Sequence, residues 1–190
     1  MAEPINALFG AVATEGEPVR LSDSEKQAVY ASITPFIQAL CQDQSLSALA
    51  LMDLVVGALH NAFPSYFWTG FYRRINTDTL EVGPSHGTLG CSHIGFGKGV
   101  CGTVAQTEST RIVDDVHAEP NHIACDSASR SEIVVPVFVR RQLAAVLDVD
   151  STLVAAFSEP DQVALEQICR WVGEALESRS LQGVIGGLEA

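Results

Sequence analysis

The chain has 190 residues, of which 47% are apolar and 18% are charged, and its formal net charge is −12. This length and composition predict one globular domain with a full-sized core, and they exclude a disordered, collagen-like or small disulfide-stapled chain. The acidic balance repels nucleic-acid phosphates and anionic lipids, so we expect neither nucleic acid nor a membrane surface as a partner.

The sequence predicts no membrane span, because its most apolar stretch, residues 46–63, contains Asp53 and His60. The N-terminus lacks the basic start and apolar core of a secretory signal, and its first basic residue is Arg20. We therefore expect a cytoplasmic protein. In a reducing compartment its five cysteines indicate catalysis, redox sensing or metal binding before structural disulfides.

Two helices with apolar residues at helical spacing follow a lead-in, residues 1–20, that we expect to be flexible. The first helix covers residues 22–40, and Ser22 with Glu25 forms a capping-box pattern at its start. The second helix covers residues 45–63 and ends before a proline.

Strands, a glycine-rich loop and two more helices follow. Period-two alternation and short apolar runs predict strands over residues 66–73, 79–84, 111–113, 132–139 and 143–149. Residues 95–99 form the glycine-rich loop before a short helix near Val100, and the last helix begins at Ser158. Helices at both ends of consecutive hairpins indicate an α+β domain with a mostly antiparallel sheet over residues 21–180, and residues 181–190 form a tail.

The five cysteines fall into two groups. Cys41 and Cys169 lie on or beside apolar helix faces, where a cysteine is usually a small buried hydrophobe. Cys101 begins the short helix after the glycine-rich loop, where unpaired N–H groups and the helix dipole favour a thiolate. Cys91 and Cys125 fall in loops, and small and polar neighbours leave Cys125 accessible. Three such thiols suit an attacking and a resolving cysteine, although their spacing alone is better explained by ordinary reduced thiols.

Three acidic residues cluster at one end of the last hairpin. Asp148 and Asp150 share one face of their strand, and Glu132 begins the neighbouring strand. Three acids at the edge of an apolar sheet are costly unless they bind a cation or share protons, and such sharing provides a proton donor near neutral pH. A solvated strand end is the alternative interpretation.

An aromatic strand is a further candidate for a pocket wall. Tyr66, Trp68 and Tyr72 occupy alternate positions and predict one aromatic face, while Phe67 and Phe71 are expected on the opposite face. Core packing is the alternative for such a stripe.

Two loop motifs suggest ligands of other kinds. The backbone amides of residues 95–99 suit a small anionic group such as a carboxylate, because the loop lacks the ending of a phosphate loop. Zinc ligand types occur at Cys91, His93, His117, His122 and Cys125. They lack closely spaced pairs, so we predict no metal site there.

Several short motifs carry a resemblance to a known family. They are Trp68-Thr69-Gly70-Phe71-Tyr72, Gly83-Pro84, Gly97-Lys98-Gly99-Val100-Cys101-Gly102, Asp115-Val116-His117, His122-Ile123-Ala124-Cys125-Asp126, Ser131-Glu132-Ile133-Val134-Val135-Pro136 and Leu147-Asp148-Val149-Asp150-Ser151. Together they resemble the free methionine-(R)-sulfoxide reductases, which are GAF-domain enzymes, over roughly residues 24–180. General GAF sensors lack this set of cysteines and acids.

The resemblance implies a six-stranded antiparallel sheet flanked by helices, free methionine-(R)-sulfoxide as substrate and no bound cofactor. It also implies roles for eight residues. Cys125 matches the attacking cysteine, Cys91 the main resolving cysteine and Cys101 a third redox-linked cysteine. The acidic pocket is matched by Glu132, Asp148 and Asp150, and the aromatic wall by Trp68 and Tyr72.

The implied reaction begins with attack of the Cys125 thiolate on the sulfoxide sulfur, while Asp150 or Glu132 protonates the oxygen. The resulting sulfenic acid condenses with Cys91, and thioredoxin, supplied by NADPH through thioredoxin reductase, opens the disulfide. Whether Cys91 or Cys101 is the first partner stays open, as does a homodimer. The alternative function is a non-catalytic GAF module that binds a small molecule or senses redox state.

Overall fold

The computed structural model describes residues 18–119, 123 and 125–179. The predicted lead-in, apart from its last three residues, and the predicted tail lie outside the described residues, as do His122 and Ala124. No helix in the described part of the chain is long and apolar enough to span a membrane.

Four α-helices and six strands form the described part of the chain. The helices are α1 (Asp23–Gln42), α2 (Ala48–Ala62), α3 (Gly99–Thr107) and α4 (Glu159–Glu177). The strands are β1 (Trp68–Arg74), β2 (Thr79–His86), β3 (His93–Gly95), β4 (Arg111–Val113), β5 (Ser131–Val139) and β6 (Gln142–Ser151). The residue pattern predicts all of these except β3, whose three residues are too few for a period-two signal.

The strands form one sheet in the order β3-β2-β1-β6-β5-β4, in which each paired strand is antiparallel to its neighbour. The predicted α+β fold with an antiparallel sheet is therefore confirmed. The central hairpin of β5 and β6 turns at Arg140 and Arg141, whose φ angles of 50° and 66° suit the two-residue turn that matches strand twist.

The sheet separates two hydrophobic clusters. The larger cluster packs α1, α2 and α4 against one face, where Phe71 and Leu147 are fully buried. The smaller cluster packs α3 against the other face, with Trp68, Tyr72 and Val146 from the strands. Because successive strand residues point to opposite faces, β1, β4, β5 and β6 contribute to both clusters, whereas β2 and β3 contribute only to the smaller one. The residues with candidate chemistry lie on the α3 face.

A buried network of an ion pair and hydrogen bonds connects α1 to the start of α4. The Lys26 ammonium forms an ion pair with Asp161 and donates to the Ala156 carbonyl at 2.6 Å and to the Ser158 hydroxyl at 2.9 Å. Tyr30 donates its hydroxyl to the second carboxylate oxygen of Asp161 at 3.0 Å. Asp161 also closes the capping box of α4 with Ser158, so one carboxylate serves both helices.

Candidate active site

A pocket on the α3 face of the sheet holds about 510 Å³ of space, including the part that is open to solvent. Strands β1, β5 and β6, the start of α3 and the loops around residues 89–90 and 123–129 form its walls. Seven of the eight site residues implied by the resemblance line this pocket: Trp68, Tyr72, Cys101, Cys125, Glu132, Asp148 and Asp150. The eighth, Cys91, is bonded to Cys125 at its rim.

Trp68 and Tyr72 form an aromatic wall of the pocket. Their rings stack with centroids 5.5 Å apart, and both side chains are buried. Gly70 between them makes room for the indole, since a Cβ there would lie 2.4 Å from Trp68 Cη2. The indole Nε1 donates to the Thr88 carbonyl at 3.1 Å, which fixes the ring against the loop after β2.

Tyr66 and Phe67 lie on the opposite faces from those that the alternation predicts. Tyr66 belongs to the larger cluster and stacks on Phe63 with ring centroids 4.5 Å apart, whereas Phe67 lines the pocket. The prediction is wrong because β1 begins at Trp68, so the preceding residues do not follow the alternation of the strand. Trp68 and Tyr72, which lie inside the strand, occupy the expected face.

The register of the sheet brings the three acids together. Glu132 lies directly opposite Asp150, and Asp148, two residues before Asp150 in β6, lies opposite Gly70 on β1. All three therefore share the pocket face of the sheet with Trp68. The Ser129 hydroxyl donates a hydrogen bond to Asp150.

Burial and mutual repulsion disfavour the charged forms of these acids. Burial raises the pKa of Glu132 well above its usual range, and the neighbouring Asp148 and Asp150 raise it further. The pKa of Asp148 is also raised well above its usual range, by burial and then by Asp150. Burial raises the pKa of Asp150 to about 6, against the Ser129 hydrogen bond that lowers it. The cluster therefore retains protons at neutral pH and can donate them.

Cys101 lies in the first turn of α3, and its thiol is buried against the acids, with Sγ 3.8 Å from Glu132 Oε1. Burial, Asp148 and Glu132 raise the pKa of the Cys101 thiol well above its usual range. The thiolate predicted from the helix dipole is therefore wrong. Desolvation and the adjacent carboxyl groups outweigh the dipole, which stabilises an anion by only about 1 kcal/mol at an exposed site.

Cys91 and Cys125 form a disulfide across 34 residues of sequence, with their Cα atoms 5.2 Å apart. Cys125 is exposed and Cys91 is half-buried. The Cys91 backbone N–H hydrogen-bonds to the Tyr72 hydroxyl, and the Thr88 side chain hydrogen-bonds to Asp126. These contacts join the two loops over the pocket and connect them to its aromatic wall.

The zinc-type residues that the sequence places in loops lie apart from one another. Among the described zinc-type residues, His93 pairs with Glu81 at 3.5 Å and His117 with Asp115 at 3.4 Å, so they do not form one group.

Gly99 opens α3 with a φ of +60° and lines the pocket. The first turn of a helix has unpaired N–H groups, so this end of the pocket suits an anion.

Sequence reasoning missed several residues that shape the pocket. Ser129 bonds Asp150, Thr88 holds both Trp68 and Asp126, and the exposed side chains of Leu89 and Ile123 stand at the rim. All lie in loops without periodicity, where the sequence carries no signal for a contact with a distant strand.

Comparisons with known proteins assign the chain to a family. The GAF domain family matches residues 47–176. "Free methionine-R-sulfoxide reductase" of Escherichia coli is 38% identical over 143 residues, which cover 75% of this chain and 86% of that protein. "GAF domain-containing protein A" of Dictyostelium discoideum is 38% identical over 81% of this chain and 96% of that protein.

A solved structure extends the likeness to three dimensions. Free methionine-R-sulfoxide reductase from Neisseria meningitidis, solved in complex with its substrate, superposes with a TM-score of 0.77 at 37% identity, covering 85% of this chain and 96% of that one. This chain is therefore a member of the GAF domain family, in the branch that contains the free methionine-R-sulfoxide reductases.

Proposed function

We propose that this protein reduces free L-methionine-(R)-sulfoxide to L-methionine. The observation that carries the proposal is the Cys91–Cys125 disulfide at the rim of a pocket that has acids on one side and an aromatic wall on another. The similarity to free methionine-R-sulfoxide reductases supports the same reaction.

The pocket offers a complementary group for each part of the substrate. Glu132, Asp148 and Asp150 hold the ammonium group, and the first turn of α3 receives the carboxylate. Trp68 packs against the methyl group on the sulfur. Because both main-chain charges are bound, methionine sulfoxide within a polypeptide is excluded, and fixing the other substituents of the sulfur selects one epimer.

The reduction starts with attack of the Cys125 thiolate on the sulfoxide sulfur. Asp150 or Glu132 supplies a proton to the sulfoxide oxygen, the S–O bond of the substrate breaks, and the oxygen remains on Cys125 as a sulfenic acid. Methionine leaves with a reduced sulfur. The Cys91 thiol then attacks the sulfenic sulfur, which releases water and forms the disulfide.

An external dithiol completes the cycle. The exposed position of Cys125 supports attack by a thioredoxin-like protein, whose own electrons come from NADPH through thioredoxin reductase in the cytoplasm. No cofactor bound to this chain is needed, since the substrate takes two electrons from two thiols. Cys101, the third redox-linked position, enters only through later exchange with the disulfide, because its own thiol is buried.

Turnover of separated epimers tests the proposal. With dithiothreitol as reductant, we expect the protein to reduce free L-methionine-(R)-sulfoxide and not the S epimer, and Cys125→Ser to abolish the activity. Cys41→Ser, which removes a half-buried thiol away from the pocket, is the matched control and retains full activity. Folded, reduced protein that turns over neither epimer would overturn the proposal in favour of a non-catalytic GAF module.

A further inference from the structure

The Cys101 thiol and the carboxyl groups of Glu132 and Asp148 lie close together in the pocket. The Cys101 sulfur and one carboxylate oxygen each from Glu132 and Asp148 lie within 4.8 Å of one another, and all three residues are buried. The thiol and Glu132 Oε1 are 3.8 Å apart. In a tetrahedral zinc site, bonds of about 2.0–2.3 Å place neighbouring ligand atoms roughly 3–4 Å apart. The thiol and Glu132 already lie at this spacing, and the 4.8 Å limit on all three atoms means that small side-chain movements would bring Asp148 to it as well.

One oxygen of the Asp148 carboxyl group has no hydrogen bond, although the group itself hydrogen-bonds to Cys101 and Glu132. Asp148 is 5% exposed, and its Oδ1 atom is buried without a hydrogen bond. The salt bridges found among the described residues involve neither Asp148 nor Glu132. A buried oxygen without a hydrogen bond is unfavourable, and a cation bound to the ionised form of the cluster would give this atom a partner.

We propose that Cys101, Glu132 and Asp148 bind a thiophilic divalent cation of the Zn²⁺ type, with solvent from the pocket as the fourth ligand. The thiolate ligand selects zinc or cadmium over magnesium and calcium, which prefer oxygen ligands alone. Binding deprotonates the Cys101 thiol and any protonated carboxyl group among Glu132 and Asp148, and these protons pass to solvent. The site is separate from the loop histidines and does not use the cysteines of the disulfide.

The same cation blocks the pocket for an amino acid. Glu132 and Asp148 are two of the three acids that the proposed function assigns to the substrate ammonium, so metal and substrate exclude each other. This consequence rests on the proposed function, whereas binding of the metal does not. Zinc bound at this site then acts as a reversible inhibitor of the reaction between the reduced protein and its substrate.

Metal titration of the disulfide-bonded protein tests the site, because Cys91 and Cys125 are then unavailable as ligands. Zinc is titrated against a chromophoric chelator, and cadmium is followed by its sulfur-to-metal charge-transfer absorption in the ultraviolet. We expect one equivalent to bind to the native chain and to Cys41→Ser. We expect binding to weaken about tenfold or more in Cys101→Ser, with loss of the charge-transfer band.

A second variant tests the site independently in case Cys101→Ser does not fold. Glu132→Gln keeps the thiol and the shape of the side chain, and it is expected to retain the charge-transfer band but to weaken the affinity for zinc. Thermal unfolding reports whether each variant is folded. Equal zinc affinity in native, Cys101→Ser and Glu132→Gln protein, or cadmium binding without the band in the native chain, would overturn the site. These readouts do not depend on turnover, so their failure is distinct from failure of the proposed reaction.

Discussion

Glu132 and Asp150 lie directly opposite each other on β5 and β6, with both carboxyl groups on the pocket face of the sheet. Directly opposed side chains of an antiparallel pair have Cβ atoms only about 5 Å apart, and like charges at that distance are destabilising. The pair therefore favours a state in which protons are shared, as a proton donor requires. The same arrangement disfavours the folded state once both groups are charged.

Asp150→Asn is expected to stabilise the protein at pH 8. Because burial raises the pKa of Asp150 to about 6, the folded chain binds the proton more tightly than the unfolded chain does. The native protein thus loses stability as the pH rises from about 4, the pKa of an unfolded aspartate, to about 6. The neutral amide avoids this loss, so the difference in unfolding free energy grows over that range to roughly 1–3 kcal/mol and stays constant above it.

Urea denaturation of both proteins between pH 4 and pH 8 measures this difference. Asp126→Asn is the control with the opposite sign, because hydrogen bonds from Ala128 and Thr88 lower the pKa of Asp126. That carboxylate contributes stability above its unfolded pKa, so its amide variant is expected to be less stable than the native chain at neutral pH. A constant difference for Asp150→Asn across the pH range would show that Asp150 does not titrate differently in the folded chain.

Cys91→Ser is expected to carry out one reduction and then stop. In the absence of reductant, the reduced native chain should lose two thiols for each methionine formed, since the disulfide consumes both Cys91 and Cys125. The variant should also form one methionine per chain, but it should lose one thiol and accumulate a sulfenic acid. Quantitation of methionine, free thiols and dimedone adducts separates these outcomes. Loss of two thiols in the variant would instead make Cys101 the resolving partner.

Gly70→Ala is expected to weaken substrate binding by displacing Trp68. A Cβ at Gly70 would lie 2.4 Å from the indole, so the ring must move away from the pocket wall. We expect an increase in KM of about tenfold and a loss of stability of roughly 1–3 kcal/mol from overpacking.

Gly57→Ala is the matched control for this substitution. In α2 an added Cβ meets His86 at 3.4 Å, and alanine favours a helix interior by roughly 0.5–1 kcal/mol. The control should therefore gain or keep stability with an unchanged KM. Steady-state kinetics measure the KM of both variants, and thermal unfolding measures their stability. An unchanged KM in Gly70→Ala would show that the position of Trp68 does not control substrate binding.

Most of the structure that could be predicted follows from regular patterns of residues in the sequence. Helical spacing and capping residues such as Ser22 locate the long helices, and Ser22 does accept the predicted hydrogen bond from the Glu25 backbone. Period-two alternation places Asp148 and Asp150 on one face of β6, where the structure has them. Such patterns are local, so one sequence suffices to detect them.

The features that depend on distant contacts escaped prediction from the residues alone. The protonated state of Cys101 follows from carboxyl groups on β5 and β6, which lie more than 30 positions away in the chain. The strand β3 is defined by its pairing with β2 rather than by its own three residues. The hydrogen bond from Ser129 to Asp150 joins a loop to a strand, and no periodic pattern in the sequence predicts it.

Lys26→Met is expected to destabilise the fold without altering the pocket. The Lys26 ammonium is the cationic partner of Asp161, which is fully buried, and methionine keeps the apolar part of the side chain while leaving that carboxylate without it. Breaking a buried ion pair on one side costs roughly 3–5 kcal/mol. The pair lies beside the larger cluster, on the face of the sheet away from the pocket, so KM should not change.

Urea denaturation measures the loss of stability in Lys26→Met, and the exposed neighbour Gln27→Met is the control for adding an apolar side chain to α1. The control should remain within about 0.5 kcal/mol of the native chain, as surface substitutions usually do. A loss below about 1 kcal/mol in Lys26→Met would mean that Asp161 is satisfied by its hydrogen bonds from Tyr30 and the Ser158 backbone alone. The hydrogen bond from Tyr30 on α1 to Asp161 on α4 would then join the two helices without the ion pair.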